Sequence, residues 1–188
     1  MTRGSRRGWS ILAGLMLAAN GAAVQAMEPG SWYGGIDYAT GTLDDEAEFD
    51  LSMGSVRFGT VVSGNIRLEG RFGVGLDGDS KAVTVSNVPL NVDYDIDRFA
   101  GVYALFTIPV EPLTLYSVAG YTSVETTARA STLPGYPRLE NSLTDRTGSG
   151  SVGIGVEYDM TDSVGVNVEA MRYASNFTTV SVGLRVAF

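Results

Sequence analysis

Residues 66–76, IRLEGRFGVGL, alternate strictly between apolar and polar or small side chains. The even positions carry Ile, Leu, Gly, Phe, Val and Leu, while the odd positions carry Arg, Glu, Arg, Gly and Gly. A period of two predicts a β-strand with one apolar and one polar face. Strands of soluble proteins usually have about 5–6 residues, whereas a tilted strand that crosses a bilayer needs about 9–11. The length of this alternation therefore favours a membrane-spanning strand.

The same period recurs and predicts an all-β chain of eight strands. The other seven are residues 31–40, 51–62, 92–108, 113–126, 151–160, 164–173 and 178–188. In residues 113–126 the pattern does not assign the two faces. Tight turns are predicted at residues 63–65, 109–112 and 161–163, and the other connections, chiefly 77–91 and 127–150, are mostly long and polar. Tight turns at one end and long loops at the other are typical of an antiparallel up-and-down transmembrane barrel.

The polar faces carry charges of both signs beside many glycines. The residues predicted to form a charge network in the lumen are Arg57, Arg67, Glu69, Arg71, Glu157, Glu169 and Arg185. A membrane barrel turns its apolar face to lipid and its polar face inward, whereas a soluble barrel does the reverse. Paired charges among glycines suit a small lumen, and a soluble lipocalin-like calyx is the alternative. Aromatic residues near strand ends are expected to form belts at the membrane interface, namely Trp32, Tyr33, Tyr116, Tyr158, Tyr173, Phe177 and Phe188.

The first 26 residues have the layout of a secretory signal peptide. Three arginines precede an apolar run at residues 9–19, and small side chains then stand at the positions that a signal peptidase reads. The run is too short for a transmembrane helix, which needs about 20 residues. Cleavage between Ala26 and Met27 is therefore predicted, with residues 27–188 forming the barrel domain.

The amino-acid composition argues against several classes of function. The predicted peptide carries three of the 13 Lys and Arg and none of the 21 Asp and Glu, so the remaining chain has a net charge near −11. That charge disfavours nucleic acid as a partner. The chain has no His and no Cys, which excludes nucleophiles activated by histidine and all cysteine nucleophiles. We therefore expect neither an enzyme nor a cofactor.

The end of the sequence, VSVGLRVAF, combines a polar residue, a glycine and alternating apolar residues before a final aromatic. Ser181, Gly183, Val186 and Phe188 resemble the C-terminal signature of outer-membrane β-barrels of Gram-negative bacteria. The chain as a whole resembles the small eight-stranded OmpA/OmpX-like proteins, of the barrel-only type because no further domain follows. This resemblance implies an outer-membrane location, contact with lipid and lipopolysaccharide, recognition of the last strand by the barrel assembly machinery, and a monomer.

The resemblance leaves two functions open. The first is a structural, anchoring or surface-interaction role through the extracellular loops, where function is usually carried. The second is a narrow porin-like channel for ions or small solutes. Weak cation binding by the acidic stretch Asp93, Asp95 and Asp97 is a minor alternative, although the sequence lacks the glycine and glutamate that an EF-hand requires at the sixth and twelfth positions. No metal site is therefore predicted.

Overall fold

The computed structural model describes residues 28–44, 48–85, 88–132, 140–173 and 177–188. Within these ranges the strands are β1 Trp32–Asp44, β2 Glu48–Ser63, β3 Ile66–Asp77, β4 Asp79–Val85, β5 Val88–Val110, β6 Leu113–Thr132, β7 Glu140–Asp159, β8 Val164–Tyr173 and β9 Phe177–Ala187. The same ranges contain no helix that is long and apolar enough to cross a membrane.

The strands form one closed antiparallel sheet. Successive strands pair in sequence order, and β1 pairs with β9 from Tyr33 opposite Ala187 onward, which closes the wall. Both β3 and β4 pair with β5, end to end, with Gly78 between them. They therefore occupy a single place in the wall, and the predicted eight-stranded barrel is confirmed, including the pairing of its first and last strands.

The two ends of the barrel differ. At one end, here the turn end, two to four residues separate β2 from β3, β5 from β6 and β7 from β8. At the other end β5, β6 and β7 begin or finish well beyond the predicted limits, and together with β4 they form a four-stranded extension, here the upper sheet. The prediction of long loops at residues 77–91 and 127–150 is therefore wrong for their described parts. Beyond the apolar band both faces of a sheet can meet water, so polar composition no longer distinguishes a loop from a strand.

Side chains alternate between the lumen and an apolar outer surface. In β3, Arg67, Glu69 and Arg71 are buried, while Leu68 and Phe72 point outward. The same alternation holds in β8 and β9. In β6, where the pattern left the faces open, the even positions from 114 to 122 point into the lumen and the odd ones outward. The apolar residues thus face the surroundings, as expected of a membrane barrel and opposite to a lipocalin-like calyx.

The aromatic residues near the strand ends divide between the two faces. Trp32 and Phe188 lie on the outer surface on either side of Phe58, with ring centroids 5.1 and 6.2 Å from it. Four others are buried in the lumen, so the prediction of a belt is wrong for Tyr33, Tyr116, Tyr173 and Phe177. These four occur in phase with the inward-facing positions of their strands, and phase decides the face of a residue.

Two buried tyrosines lie flat over glycines of neighbouring strands. A Cβ added at Gly59 would stand 2.5 Å from the Tyr33 ring, and one at Gly155 would stand 2.3 Å from the Tyr116 ring. No real Cβ is tolerated at such distances in a close-packed interior. These glycines therefore provide the space that lets an eight-stranded lumen hold aromatic side chains.

Substitution of Gly59 by alanine is expected to destabilise the barrel by about 1–3 kcal/mol, because Tyr33 or the Leu68 carbonyl oxygen must move. Gly70 is the matched control on the outer face, where the nearest atom to an added Cβ is the Phe58 carbonyl oxygen at 4.0 Å. In urea unfolding of the two refolded variants, the midpoint should be lower than that of the wild type for Gly59→Ala and unchanged for Gly70→Ala. Equal midpoints would contradict the close contact with Tyr33.

Candidate functional site

The middle of the lumen holds a cluster of five buried charged residues, here the central cluster. Arg71 donates from Nε to Glu69 at 2.8 Å and from Nη2 to Glu169 at 2.9 Å. Arg57 donates from Nε to Asp37 at 2.8 Å and lies 3.6 Å from Glu69. The cluster thus joins residues from β1, β2, β3 and β8 across the barrel, with every carboxylate paired to an arginine.

A second cluster, here the turn-end cluster, lies closer to the short turns. Glu157 accepts hydrogen bonds from Arg67 Nη1 at 3.0 Å and from Arg185 Nε at 2.9 Å. Arg185 also donates to Asp159. The pairs link β3, β7 and β9, which are distant along the chain. Two arginines and two carboxylates are therefore balanced here.

Tyrosines connect these charges to the rest of the lumen. The Tyr33 hydroxyl donates to Glu69 at 2.9 Å, and the guanidinium of Arg71 lies 4.7 Å from the centre of the Tyr103 ring. Tyr103 in turn shares a hydrogen bond of 2.6 Å with Thr122. An arginine over an aromatic face is stabilised by the ring quadrupole. Each side of Arg71 is consequently occupied, either by a carboxylate or by a ring.

The structure brings all seven charged residues of the predicted network into these two clusters. Asp37 and Asp159 complete the pairs and were not part of the predicted set. Asp159 stands two positions after Glu157, and the period of two places it on the same polar face, although the predicted network did not include it. Asp37 shares the phase of Tyr33 in β1, a strand whose sequence alternates less cleanly.

Above the charges, towards the upper sheet, the lumen becomes apolar. The buried residues of this plug include Leu51, Met53, Ile96, Phe99, Met171, Tyr173 and Phe177. The rings of Phe99 and Phe177 lie 6.4 and 5.8 Å from that of Tyr173. At the turn end a recess of about 250 Å³ reaches inward only as far as Arg67 and Arg185. Charges and apolar side chains thus fill the interior, as the size of an eight-stranded barrel predicts.

One buried acceptor stands out in the central part of the lumen. The side-chain oxygen of Asn167 lacks a hydrogen-bond donor among the described residues, while its amide group lies 3.5 Å from the Tyr116 hydroxyl. A Cβ added at Gly183 would lie 2.8 Å from this oxygen and within 2 Å of Asp37 Oδ1. Glycine is therefore the only residue type that fits at position 183, between the side-chain oxygens of Asp37 and Asn167.

The residues of the C-terminal motif lie on both faces of β9. Ser181 and Gly183 point into the lumen, and the Ser181 hydroxyl lies 3.4 Å from the Glu169 carbonyl oxygen. Val186 and Phe188 point outward. Phe188 is held mainly by its backbone, whose N–H donates to the Trp32 carbonyl at 2.9 Å. The predicted cleavage site, Ala26 and Met27, lies outside the described residues.

The outer face of the upper sheet carries exposed charges. Arg98, Glu125 and Arg146 stand side by side on β5, β6 and β7, and Arg98 donates to Glu125 at 2.8 Å. Further out, Asp95 pairs with Arg129 at 3.3 Å. The row of Arg98, Glu125 and Arg146 thus combines two arginines with a single carboxylate.

The acidic stretch on β5 is divided by hydrogen bonding. Asp93 accepts from Asn91 at 2.9 Å, Asp95 pairs with Arg129, and Asp97 accepts from Thr127 at 2.7 Å beside a register shift. Each carboxylate has its own partner. In the described part of the chain, no group of three or more carboxylates is arranged to hold a metal ion.

Asp79 fastens β4 to the rim of the barrel. It accepts hydrogen bonds from the backbone N–H groups of Asp50 at 3.1 Å and Ser80 at 2.8 Å, and it lies 3.2 Å from Lys81 Nζ. Slight burial acts to raise the pKa of Asp79, but these hydrogen bonds outweigh it and hold the pKa below its ordinary value. The carboxylate therefore stays ionised throughout the neutral range and keeps β4 attached to β2.

Solved structures with similar folds come from several sources. Ail, the attachment invasion locus protein of Yersinia pestis, is 15% identical, with a TM-score of 0.55 over 86% of this chain and all of that one. Neisserial surface protein A (NspA) is 16% identical, with a TM-score of 0.53 over 84% of this chain and 97% of that one. A transmembrane β-barrel designed de novo is 16% identical, with a TM-score of 0.52 over 87% of this chain and all of the designed one.

Comparison at the level of sequence gives two results. No curated protein sequence matches the chain significantly. The outer membrane protein beta-barrel domain family matches residues 10–188, which is nearly the whole chain. With its closed barrel, filled lumen and apolar exterior, the chain belongs to the outer membrane protein beta-barrel domain family, and it is a protein of the outer membrane.

Proposed function

We propose that the barrel is an anchor and that the upper sheet is its interaction surface outside the cell. The observation that carries this proposal is the contrast between the two parts. The lumen is filled by ion pairs and apolar side chains, whereas β4, β5, β6 and β7 continue beyond the rim as ordered strands. Ordered strands beyond the apolar band are not needed to span the membrane, so their role lies outside it.

The charge of the upper sheet bears on its partners. The Yersinia pestis protein Ail has been crystallised with sucrose octasulfate, a heparin analogue. This chain is acidic, and beyond the row of Arg98 and Arg146 the cations Arg129 and Lys81 each lie within ion-pair distance of a carboxylate. A polysulfated chain is therefore a poor match for that part of the sheet, and we propose a partner there that is neutral or basic.

A shortened sheet tests this role. Residues 126–145 would be replaced by Asn-Gly, a two-residue turn that suits the end of a hairpin between the opposed residues Glu125 and Arg146. We expect normal outer-membrane levels and heat-modifiable migration on a gel, together with loss of binding of the cells to surfaces or host material. Unchanged binding would contradict the proposal. Removal of this hairpin leaves the ion pairs of the lumen in place, so the shortened barrel should still fold. Its normal gel migration is the control that lost binding does not result from misfolding.

We also propose that the protein is not an enzyme and not a channel. It lacks His and Cys, and each described lumen carboxylate lies beside an arginine. The refolded protein is expected to leave a planar bilayer silent. Discrete conductance steps of stable size would contradict this expectation and favour the porin-like alternative. A general porin added afterwards to the same bilayer controls for the sensitivity of the recording.

Lipopolysaccharide is the second partner that we propose, held by the outward arginines. The row of Arg98 and Arg146 lies four residues further along the strands than the apolar row of Val102 and Tyr121. This places the arginines near the depth of the phosphate groups. Bidentate guanidinium groups suit phosphate. We further propose that the barrel assembly machinery recognises the last strand and that the protein is a monomer.

The arginine row has its own test. Lipopolysaccharide added to the refolded barrel should raise its thermal unfolding temperature on a gel. In the Arg98→Gln, Arg146→Gln double variant the stabilisation should be smaller by about 1 kcal/mol per arginine. Lys81→Gln, on the opposite face of the upper sheet, is the matched control. An equal temperature rise in the double variant and the wild type would contradict the proposed phosphate contact.

A further inference from the structure

An apolar cleft of about 370 Å³ opens between the upper sheet and the rim of the barrel. Its floor consists of Ile96, Tyr173 and Phe177, all of them buried. Leu43 and Leu51 form the side that belongs to the barrel. Because the apolar plug closes its floor, the cleft is a blind recess.

The upper sheet supplies the opposite wall. Tyr94, Ala128 and Leu143 stand in one row across β5, β6 and β7, with their side chains towards the cleft. The described residues of β7 above the rim are otherwise polar or glycine, and Leu143 is the one large apolar residue among them, 69% exposed. A contiguous exposed apolar patch on a monomer usually marks a binding surface. The row of Tyr94, Ala128 and Leu143 is therefore the part of this wall that can contact an apolar group of a ligand.

The polar groups of the cleft indicate which charge its ligand carries. Asp145, Thr147, Thr126 and Ser149 lie on one side of it, and Thr147 donates to Asp145 at 3.0 Å. Asp145 is the only charged residue among the described residues that line the cleft. An anionic ligand such as a fatty acid would therefore meet a like charge, while a cation would meet an opposite one.

We propose that this cleft binds small amphipathic cations, with the alkyl or aromatic part between Tyr94, Leu143 and the floor and the cationic group beside Asp145. Its volume lies within the range of about 300–1,000 Å³ that is usual for small-molecule sites. Alkylammonium compounds are the simplest members of this class. The site is separate from the surface interaction proposed above, since it faces inward from the same sheet.

Hexyltrimethylammonium is the probe for the test, because its short chain limits partition into lipid. Isothermal titration of the full barrel in nanodiscs, with empty nanodiscs subtracted, should show saturable binding. Hexanoate, with the same apolar length and the opposite charge, should bind more weakly. Asp145→Asn should weaken binding of the cation by about two- to fivefold, the range expected for one accessible charge pair, and should remove the preference over hexanoate.

Two variants test the apolar part. Ala128→Trp places an indole in the cleft and should abolish binding. Leu143→Ser should weaken binding without affecting folding, because Leu143 is exposed. Ser142→Ala, on the outer face of the same strand, should bind like the wild type. Heat-modifiable gel migration confirms that each variant is folded. The site would be overturned if the titration with hexyltrimethylammonium showed no saturable heat, or if Leu143→Ser bound it as tightly as the wild type. If Asp145→Asn still preferred hexyltrimethylammonium over hexanoate to the same degree, the proposed preference for cations would be overturned.

Discussion

Replacing Arg71 by methionine is expected to lower the free energy of unfolding by about 3–5 kcal/mol, because it leaves two buried carboxylates without their main partner. Arg71 binds both Glu69 and Glu169 in the centre of the lumen. Glu69 would keep Tyr33 and the distant Arg57, whereas Glu169 would lose both of its guanidinium contacts. Urea unfolding in lipid vesicles, followed by the fluorescence of Trp32, measures the change.

Two further variants separate charge from packing. Arg71→Met combined with Glu69→Gln and Glu169→Gln removes the stranded charges, and we expect it to recover most of the lost stability, since buried ion pairs contribute little over neutral groups of similar shape. Arg98→Met removes an exposed arginine from its ion pair with Glu125 and should cost no more than about 1 kcal/mol. An unchanged urea midpoint for Arg71→Met alone would contradict the central cluster.

The face of each residue in the barrel could be predicted from the sequence because the side-chain period of a strand is two and lipid requires an apolar exterior. That rule assigned Arg71 and Glu169 to the same interior. It did not give their contact, since the residues are 98 positions apart and meet only through the order and register of the closed sheet. Pairing inside the lumen is a property of the barrel as a whole.

The upper sheet could not be predicted by the same rule. Lipid no longer selects apolar residues beyond the rim, so a paired strand such as Glu140–Asp159 begins in a stretch with the composition of a loop. Backbone hydrogen bonds, which are independent of side-chain type, extend β5, β6 and β7 there. The alternation of Leu143 and Asp145 with Thr144 and Arg146 was present in the sequence, but its apolar face amounts to a single leucine.

The aromatic residues show why phase takes precedence over position. Tyr33 and Trp32 are adjacent at the start of β1, yet one is buried and the other is exposed. Nearness to a strand end suggested that both lie at the interface. The period of two assigns adjacent residues to opposite faces, and the glycine at position 59 then provides the space that Tyr33 requires.

Deletion of Phe188 is expected to reduce the outer-membrane level of the protein severely while changing the stability of the refolded barrel by only about 1 kcal/mol. The Phe188 side chain is 74% exposed, and Phe58, 6.2 Å away between ring centroids, is its main described neighbour. Little packing is therefore lost with it. If the terminal aromatic is the signal that the assembly machinery reads, insertion in cells should fail where refolding in vitro succeeds.

Gly183→Ala distinguishes an assembly signal from lumen packing within the same motif. Its added methyl group would collide with Asp37 and Asn167, so refolding in vitro and insertion in cells should both suffer. The loss of stability in urea should be about 1–3 kcal/mol. Phe188 deletion and Gly183→Ala are therefore compared in parallel, by cell fractionation and by urea unfolding. Normal outer-membrane levels without Phe188 would contradict the signal, and unchanged stability of Gly183→Ala would contradict the contact between β9 and Asp37.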